Sequence, residues 1–244
     1  MTERKPVVFG IGGLLGKEER GKIDDMLSIM AETYGCKTYA IRPAEVVIDG
    51  TNYLFTLSPE DRKEIVEAVS AARENPEADT SRVAIITSSI GALKLFEYLG
   101  ESEDLALGLK AIAQNVPFTR RNEGLTSRGR EAIERGEPFN FSSRYDRMRR
   151  VNRSVRTTSL PYLLDFDARE NLKRLSPQYR FQTFTLLAKR DSVVDNQVTV
   201  ECHRMLNGTD ENMLTVEYDH WIPYEVSRKP IVDFLVKTLE LRLA

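Results

Sequence analysis

The chain has 244 residues, of which 41% are hydrophobic and 30% charged, and its formal net charge is −2. This composition is typical of a globular protein with a sizeable core, and the near-neutral charge excludes a general attraction to nucleic acid or membrane. No apolar segment is long enough to cross a bilayer, so we expect no membrane span and no secretion signal. Cys36 and Cys202 are too few for a disulfide framework and lack metal-ligand spacing, which predicts free thiols in a cytoplasmic protein.

Apolar segments typical of strands alternate along the chain with amphipathic segments typical of helices. Predicted strands cover 7–11, 37–42, 83–86, 109–113, 181–188 and 213–218, and predicted helices cover 23–34, 58–72, 92–99, 198–206 and 231–239. The run at 83–86 is continuously apolar, as strands of parallel sheets are when both faces are buried. The alternation predicts an α/β fold with a mostly parallel sheet and helices on both faces. Active sites of such sheets lie at the carboxyl ends of the strands.

Residues 117–167 interrupt the alternation, and we predict that they form an inserted cap or lid on a core made of 1–116 and 168–244. Within the insert, 144–155 is predicted to be helical. Eleven arginines, five acidic residues and no lysine lie between Arg120 and Arg156. Two interpretations stay open: the arginine stems cover apolar surface of a solvated cap, or some guanidinium groups face the pocket and hold an anionic part of a substrate.

A short segment, 87–91 with the sequence TSSIG, joins the central apolar strand to the next helix. A nucleophile on such a turn needs small residues two positions before and two positions after it, because the backbone bends sharply there. Ser89 has Thr87 and Gly91 at those positions, whereas Ser88 would have two isoleucines. We therefore predict that Ser89 is a nucleophile. The alternative is a serine that only caps the helix.

The chain contains only two histidines. His220 follows the last predicted strand, where it can accept the proton of Ser89 and later deliver it to a leaving group. His203 lies within the predicted helix 198–206 and is expected to be a surface or packing residue. We predict that His220 is the base, with an ordinary loop histidine as the alternative.

The acid is expected in the loop after the strand 181–188. Asp191 and Asp195 both lie there, and Asp191 is nearer the end of the strand. We predict that Asp191 orients His220 and that Asp195 caps the following helix. Asp219 directly precedes the histidine, and most backbone conformations point it away from the imidazole ring.

A glycine-rich loop follows the first predicted strand. An oxyanion hole needs two backbone N–H groups, one of them directly after the nucleophile, which is Ile90 here. For the other we predict Ile11, since it follows Gly10. The alternative is a phosphate-binding loop, but the spacing from Gly10 to Gly16 differs from a dinucleotide fingerprint, and no acidic residue ends the second strand. We expect no cofactor and no metal.

From the loop Phe9-Gly10-Ile11-Gly12-Gly13 to the last helix, the chain resembles the α/β-hydrolase superfamily. It is most similar to small lidded esterases and acyl thioesterases in the layout of 130–137, Asp191 and His220. The family has His-Gly in the oxyanion loop and glycine two residues before the nucleophile, where this chain has Phe9-Gly10 and Thr87. The family usually begins with two more strands, so the resemblance implies about six parallel strands here.

The resemblance implies a serine hydrolase that cleaves a carboxylic ester or thioester through an acyl-enzyme on Ser89. The substrate is expected to be a small molecule, with an acyl carrier as a further candidate partner. Two alternatives stay open: an acyltransferase that uses the same acyl-enzyme, and a non-catalytic binding protein of the same fold. Nucleic-acid binding is disfavoured by the balanced charge. The oligomeric state is not predicted.

Overall fold

The strands of the protein form a central parallel sheet and a smaller second sheet. The computed structural model describes residues 3–13, 17–42, 45–49, 51–57, 63–101, 108–140, 150, 152–175 and 179–244. The strands are β1 (Lys5–Ile11), β2 (Lys37–Ile41), β3 (Glu45–Asp49), β4 (Asn52–Thr56), β5 (Ala78–Ser88), β6 (Leu109–Asn115), β7 (Phe139–Asn140), β8 (Asn152–Val155), β9 (Gln182–Ala188) and β10 (Met213–Val216). The α-helices of the described ranges are α1 (Lys17–Glu32), α2 (Lys63–Glu74), α3 (Ile90–Glu101), α4 (Glu123–Arg135), α5 (Leu160–Asp165), α6 (Ala168–Leu172), α7 (Asn196–Met205) and α8 (Tyr224–Thr238).

The central sheet has six strands in the order β10-β9-β6-β5-β1-β2. Every neighbouring pair in it is parallel. The prediction of an α/β fold with about six parallel strands is therefore confirmed. Because all strands run in the same direction, the loops that follow β1, β5, β9 and β10 meet at one edge of the sheet.

Helices cover both faces of this sheet, because side chains that alternate along each strand point to opposite faces. On one face, Val8 and Ile86 pack with residues of α1 and α8. On the other, Phe9 and Ile85 pack with residues of α2, α3, α6 and α7. The inner strands β1, β6 and β9 are buried along almost their whole length, as is the second half of β5, whereas the edge strands β2 and β10 are mostly accessible. Burial on both faces is why the inner strands are mainly apolar.

The second sheet has four strands in the order β3-β4-β8-β7. Its strands come from two separate parts of the chain: β3 and β4 lie between β2 and α2, while β7 and β8 belong to the predicted cap. The pair β4–β8 is parallel, with Asn52 opposite Asn152 and Phe55 opposite Val155. The second sheet therefore joins part of the predicted insert to a segment, 45–56, that lies outside it.

The expectation of a helix over 144–155 is wrong for its described end, since Asn152–Val155 is a strand. Its backbone pairs with β4 on one side and β7 on the other, and burial alternates along it. Hydrogen bonds between distant strands outweigh the local preference of these residues. Residues 141–149, and residues 58–62 at the start of the predicted helix 58–72, lie outside the described residues.

Both cysteines of the chain are buried. Burial raises the pKa of Cys36 to about 11 and that of Cys202 to about 12, so both thiols stay protonated at neutral pH. Both cysteines are free, as the sequence predicted. Within the described ranges, no helix is long and apolar enough to cross a membrane. Among the same residues, no group of three potential metal ligands comes together.

Candidate active site

The turn between β5 and α3 holds Ser89 in a left-handed backbone conformation, with φ of +49°. Non-glycine residues rarely adopt this conformation, so the surrounding structure must stabilise it. The Ser89 N–H donates to the Asn115 carbonyl oxygen at 3.2 Å, and the Ser89 carbonyl accepts from the N–H groups of Ala92 at 3.0 Å and Phe118 at 2.9 Å. These bonds fix the sharp turn at the carboxyl end of the sheet.

Small neighbours are required at this turn. A Cβ atom at Gly91 would lie 2.3 Å from the Ile11 carbonyl oxygen, so the backbone of α3 approaches β1 too closely for any side chain. Thr87, two residues before Ser89, is completely buried. The tight packing at Thr87 and Gly91 is thus consistent with the steric argument that favours Ser89 over Ser88 as the nucleophile. The Ser88 hydroxyl instead accepts a long hydrogen bond, 3.4 Å, from the Asn115 side-chain amide.

Three predicted residues lie together in a hydrogen-bonded chain. Ser89 Oγ is 2.8 Å from His220 Nε2, and His220 Nδ1 is 2.8 Å from Asp191 Oδ2. Asp191 follows β9 and His220 follows β10, so both reach Ser89 from neighbouring strand ends. The ring of His220 and the carboxylate of Asp191 are buried, whereas Ser89 is partly accessible from the pocket. A carboxylate at Nδ1 holds the ring so that Nε2 faces the hydroxyl.

The Asp191 carboxylate is fixed by its second oxygen as well. Oδ1 accepts hydrogen bonds from the N–H groups of Val193 at 2.8 Å and Val194 at 2.9 Å. Asp195 instead caps α7, where it accepts from the backbone of Gln197 and Val198. Asp219 accepts from the backbone N–H of Trp221 at 3.0 Å. The three aspartates have separate partners, and only Asp191 contacts the imidazole ring.

His203 has a structural environment quite unlike that of His220. It is completely buried in α7, with Nδ1 2.8 Å from the Thr185 hydroxyl and Nε2 3.0 Å from the Thr209 carbonyl oxygen. A carbonyl oxygen only accepts, so Nε2 carries the proton. Burial lowers the pKa of His203, which keeps the ring neutral at pH 7. Both ring nitrogens of His203 form hydrogen bonds inside the core, as expected for a packing residue.

The two predicted oxyanion residues lie in different settings. Ile90 is the first residue of α3, directly after Ser89. Ile11 is completely buried within β1, in register between Ile41 of β2 and Thr87 of β5. The residue that approaches Ser89 from this loop is Gly13: a Cβ atom there would lie 3.0 Å from Ser89 Cβ. The sequence signal for this close approach was the second glycine of the Gly12-Gly13 pair.

The pocket at Ser89 is lined mostly by apolar side chains. Alongside Ser89 and His220, its wall includes five residues, each from a different element or loop: Ile90, Phe118, Arg153, Val193 and Trp221. The apolar wall suits a hydrocarbon group next to the hydroxyl. Among the described residues of this wall, Arg153 is the charged side chain outside the hydrogen-bonded chain, and no feature of the sequence distinguished it from the other arginines of the predicted insert.

Comparison with known proteins gives a match in structure only. No family model and no curated protein matches the sequence. The fold is similar to that of Est1E from Butyrivibrio proteoclasticus, with a TM-score of 0.61 and 13% identity over 98% of this chain and 90% of that one. It is also similar to the α/β hydrolase GrgF from Penicillium sp. sh18, with a TM-score of 0.63 and 12% identity over 98% and 92% of the two chains. A monoacylglycerol lipase from Paleococcus ferrophilus has a TM-score of 0.59 and 15% identity over 97% of each chain.

Proposed function

We propose that this protein, which has the α/β-hydrolase fold, is a serine hydrolase that cleaves a carboxylic ester or thioester through an acyl-enzyme on Ser89. The observation that carries the proposal is the chain of two 2.8 Å contacts from Ser89 Oγ through His220 to Asp191. A hydroxyl, an imidazole and a buried carboxylate in this order are the parts that nucleophilic acyl transfer requires. Structural neighbours named as a hydrolase and a lipase support the same class.

In the first half of the reaction, His220 Nε2 accepts the proton of Ser89 as Oγ attacks the substrate carbonyl carbon. The resulting imidazolium donates its Nδ1–H to Asp191 Oδ2, so the buried carboxylate stabilises the positive charge. When the bond to the leaving group breaks, His220 donates the Nε2 proton to the departing alcohol or thiol. Water then attacks the acyl-enzyme in the same way and releases the acid.

The oxyanion that forms during each attack needs two N–H donors. We assign one to Ile90, as the sequence predicted, and the other to Gly13 in place of Ile11. This revision is supported by the close approach of Gly13 to the turn, where a Cβ atom would lie 2.8 Å from the Ser88 carbonyl oxygen and 3.0 Å from Ser89 Cβ, and by the position of Ile11 inside the sheet. Backbone donors in a fixed turn need no reorganisation when the charge appears.

An oxygen ester and a thioester use the same acyl-enzyme, so both belong to the proposed substrate class. An acyl carrier is one source of such a thioester. The proposal commits to water as the acceptor because the named neighbours that support it are a hydrolase and a lipase. An acyltransferase would release acid only slowly and would need an added alcohol or thiol.

The test is hydrolysis of p-nitrophenyl esters by Ser89→Ala and by the matched control Ser88→Ala. We expect Ser89→Ala to lose roughly a ten-thousandfold or more in kcat/KM, since a hydroxyl nucleophile has no substitute at that position. Ser88→Ala should stay within about tenfold of the wild type, because the contact that its hydroxyl makes among the described residues is the long one with Asn115. Normal turnover by folded Ser89→Ala, or release of acid that depends on an added alcohol, would contradict the proposal.

A further inference from the structure

Ser89 and His220 line a second cleft, which lies beside α1. The cleft, which we call the α1 cleft, has further walls from α1, from the turn before α3 and from the end of β6: Lys22, Ile23, Met26, Ser88 and Asn115. Ser89, His220 and Trp221 belong to this cleft and to the Ser89 pocket alike. The nucleophile and the base therefore border two separate spaces.

The two spaces differ in the polarity of their walls. Beyond the residues that both share, the Ser89 pocket is walled mainly by apolar side chains: Ile90, Phe118 and Val193. The α1 cleft combines apolar side chains of α1 with the polar side chains of Lys22, Ser88 and Asn115. An ester has two parts, one on each side of its carbonyl carbon. Walls of different polarity at the nucleophile therefore suit a substrate whose two parts differ in polarity.

Lys22 brings a positive charge to the α1 cleft. It is half-buried in the second turn of α1, and no ion pair or side-chain hydrogen bond of Lys22 occurs within the part of the chain that the structure describes. Asp24 pairs instead with Arg42 at 3.5 Å. The charge of Lys22 is therefore available to an anion in the cleft, and its partial withdrawal from water strengthens that attraction.

We propose that Lys22 binds a negatively charged group of the substrate in the α1 cleft, while the Ser89 pocket takes a hydrocarbon part. This inference rests on the proposed function and deepens it, because it names anionic esters or thioesters as the preferred substrates. An ammonium group is a point charge on a flexible stem, so it attracts a carboxylate and a phosphate alike. What the substrate needs is a negative charge on one side of the scissile carbonyl.

The substrate test compares esters that differ only in a carboxylate in place of a terminal methyl group. On the acyl side these are the p-nitrophenyl monoester of adipic acid and p-nitrophenyl hexanoate; on the alcohol side they are the acetyl esters of 4-hydroxybutyrate and of butanol. We expect the wild type to prefer the carboxylate-bearing member of one pair by roughly fivefold or more in kcat/KM, the effect of a half-buried ion pair. The pair that shows the preference identifies the part of the substrate that lies in the α1 cleft.

Variants then assign the preference to one residue. Lys22→Met keeps an unbranched side chain that suits a helix and should abolish the preference, whereas Lys22→Arg should keep most of it because the charge remains. Lys110→Met is the matched control: it removes an exposed lysine at the amino end of β6, away from the site, and should leave the preference unchanged. A preference that survives Lys22→Met, or an active wild type without a preference in either pair, would overturn the inference.

Binding without turnover separates this inference from the proposed function. Trp221 is the only tryptophan of the chain and lines both spaces, so its fluorescence reports on a ligand in either of them. The products of both ester pairs are titrated: adipate with hexanoate, and 4-hydroxybutyrate with butanol. We expect the product with the additional carboxylate in one pair to bind roughly fivefold more tightly to the wild type and to Lys110→Met, and no more tightly to Lys22→Met.

The outcomes of the titration are distinct from those of the kinetic test of Ser89. No difference within either product pair in the wild type, or a difference that persists in Lys22→Met, would contradict the anion site even if Ser89 proves to be an active nucleophile. A difference that depends on Lys22 in a protein without esterase activity would retain the anion site and refute the serine-hydrolase proposal.

Discussion

The carboxyl edge of the central sheet and the small sheet of the cap contribute to the same pocket by different means. At the carboxyl end of the central sheet, Ser89 follows β5 and Asp191 follows β9, and the ends of both strands are buried by packing on both faces. His220 follows the four-residue edge strand β10. In the cap, Arg153 is positioned by pairing between strands of four and five residues that are distant in sequence. The carboxyl end of the central sheet holds the three hydrogen-bonded residues, while the second sheet brings a charged side chain to the wall of the same pocket.

The largest expected effect is the loss of the base, His220, at the carboxyl end of the central sheet. His220→Ala should lower kcat/KM for a neutral p-nitrophenyl ester by roughly ten-thousandfold or more, because it removes the imidazole nitrogen that contacts Ser89 Oγ. His203→Gln is the matched control, and its folded fraction should keep turnover within about tenfold of wild type, since a distant packing residue does not touch the reacting atoms. Equal losses in the two variants would remove the distinction between the two histidines.

The next effect concerns the acid. Asp191→Asn should cost roughly a thousandfold or more in kcat, because the amide neither stabilises the imidazolium nor enforces the required tautomer of His220. Asp195→Asn should have little effect, since asparagine caps a helix about as well as aspartate. Steady-state kinetics on both variants, with thermal unfolding as a check of the fold, measure the ranking. The reverse ranking would place the acid at Asp195.

Removal of the Ser159 hydroxyl should lower the stability of the fold. The buried Ser159 hydroxyl accepts from the Leu57 N–H at 2.8 Å and contacts the Leu57 carbonyl at 3.1 Å, so it joins the end of β4 to the cap. Ser159→Ala leaves buried backbone groups without this partner and should reduce the free energy of unfolding by about 1–3 kcal/mol. Urea unfolding of Ser159→Ala and of the exposed neighbour Thr158→Ala tests this. Equal urea midpoints in the two variants would mean that the contact between Ser159 and Leu57 does not stabilise the fold.

The smallest effect is a pH dependence of stability. Burial lowers the pKa of His203 below its ordinary value of 6.5, so the unfolded chain binds a proton more readily than the folded one. The stability that this ring contributes is therefore present above that value and falls as the pH drops below it. Urea midpoints at pH 7.5 and pH 5.5 should differ more in the wild type than in His203→Gln. An equal decline in both proteins would assign the pH dependence to other groups.

The sequence was sufficient where signals were local. The apolar run of β5, the small residues around Ser89 and the order of Asp191 and His220 predicted both the central sheet and the three residues that the structure brings together. The sequence signal that predicted Asp195 as the N-cap residue of α7 was likewise local. Each of these features depends on residues within a few positions of one another or on strand order in a parallel sheet.

The sequence was insufficient where pairing is non-local. Nothing within 45–56 shows that its backbone joins that of 152–155, and the second of these segments was predicted to be helical. Arg153 is one of eleven arginines, and only its register opposite Tyr53 directs it to the pocket wall. Ile11 was assigned from its place after Gly10, but β1 continues through Ile11, so the close approach to Ser89 falls two residues later, at Gly13.

The most direct test of the central claim is covalent labelling with a fluorophosphonate, followed by mass spectrometry of the digested protein. The account predicts a single adduct on Ser89 in the wild type, and labelling that is at least about a thousandfold slower in His220→Ala, because the hydroxyl is then not activated by a base. No adduct, or an adduct on Ser88, would contradict it.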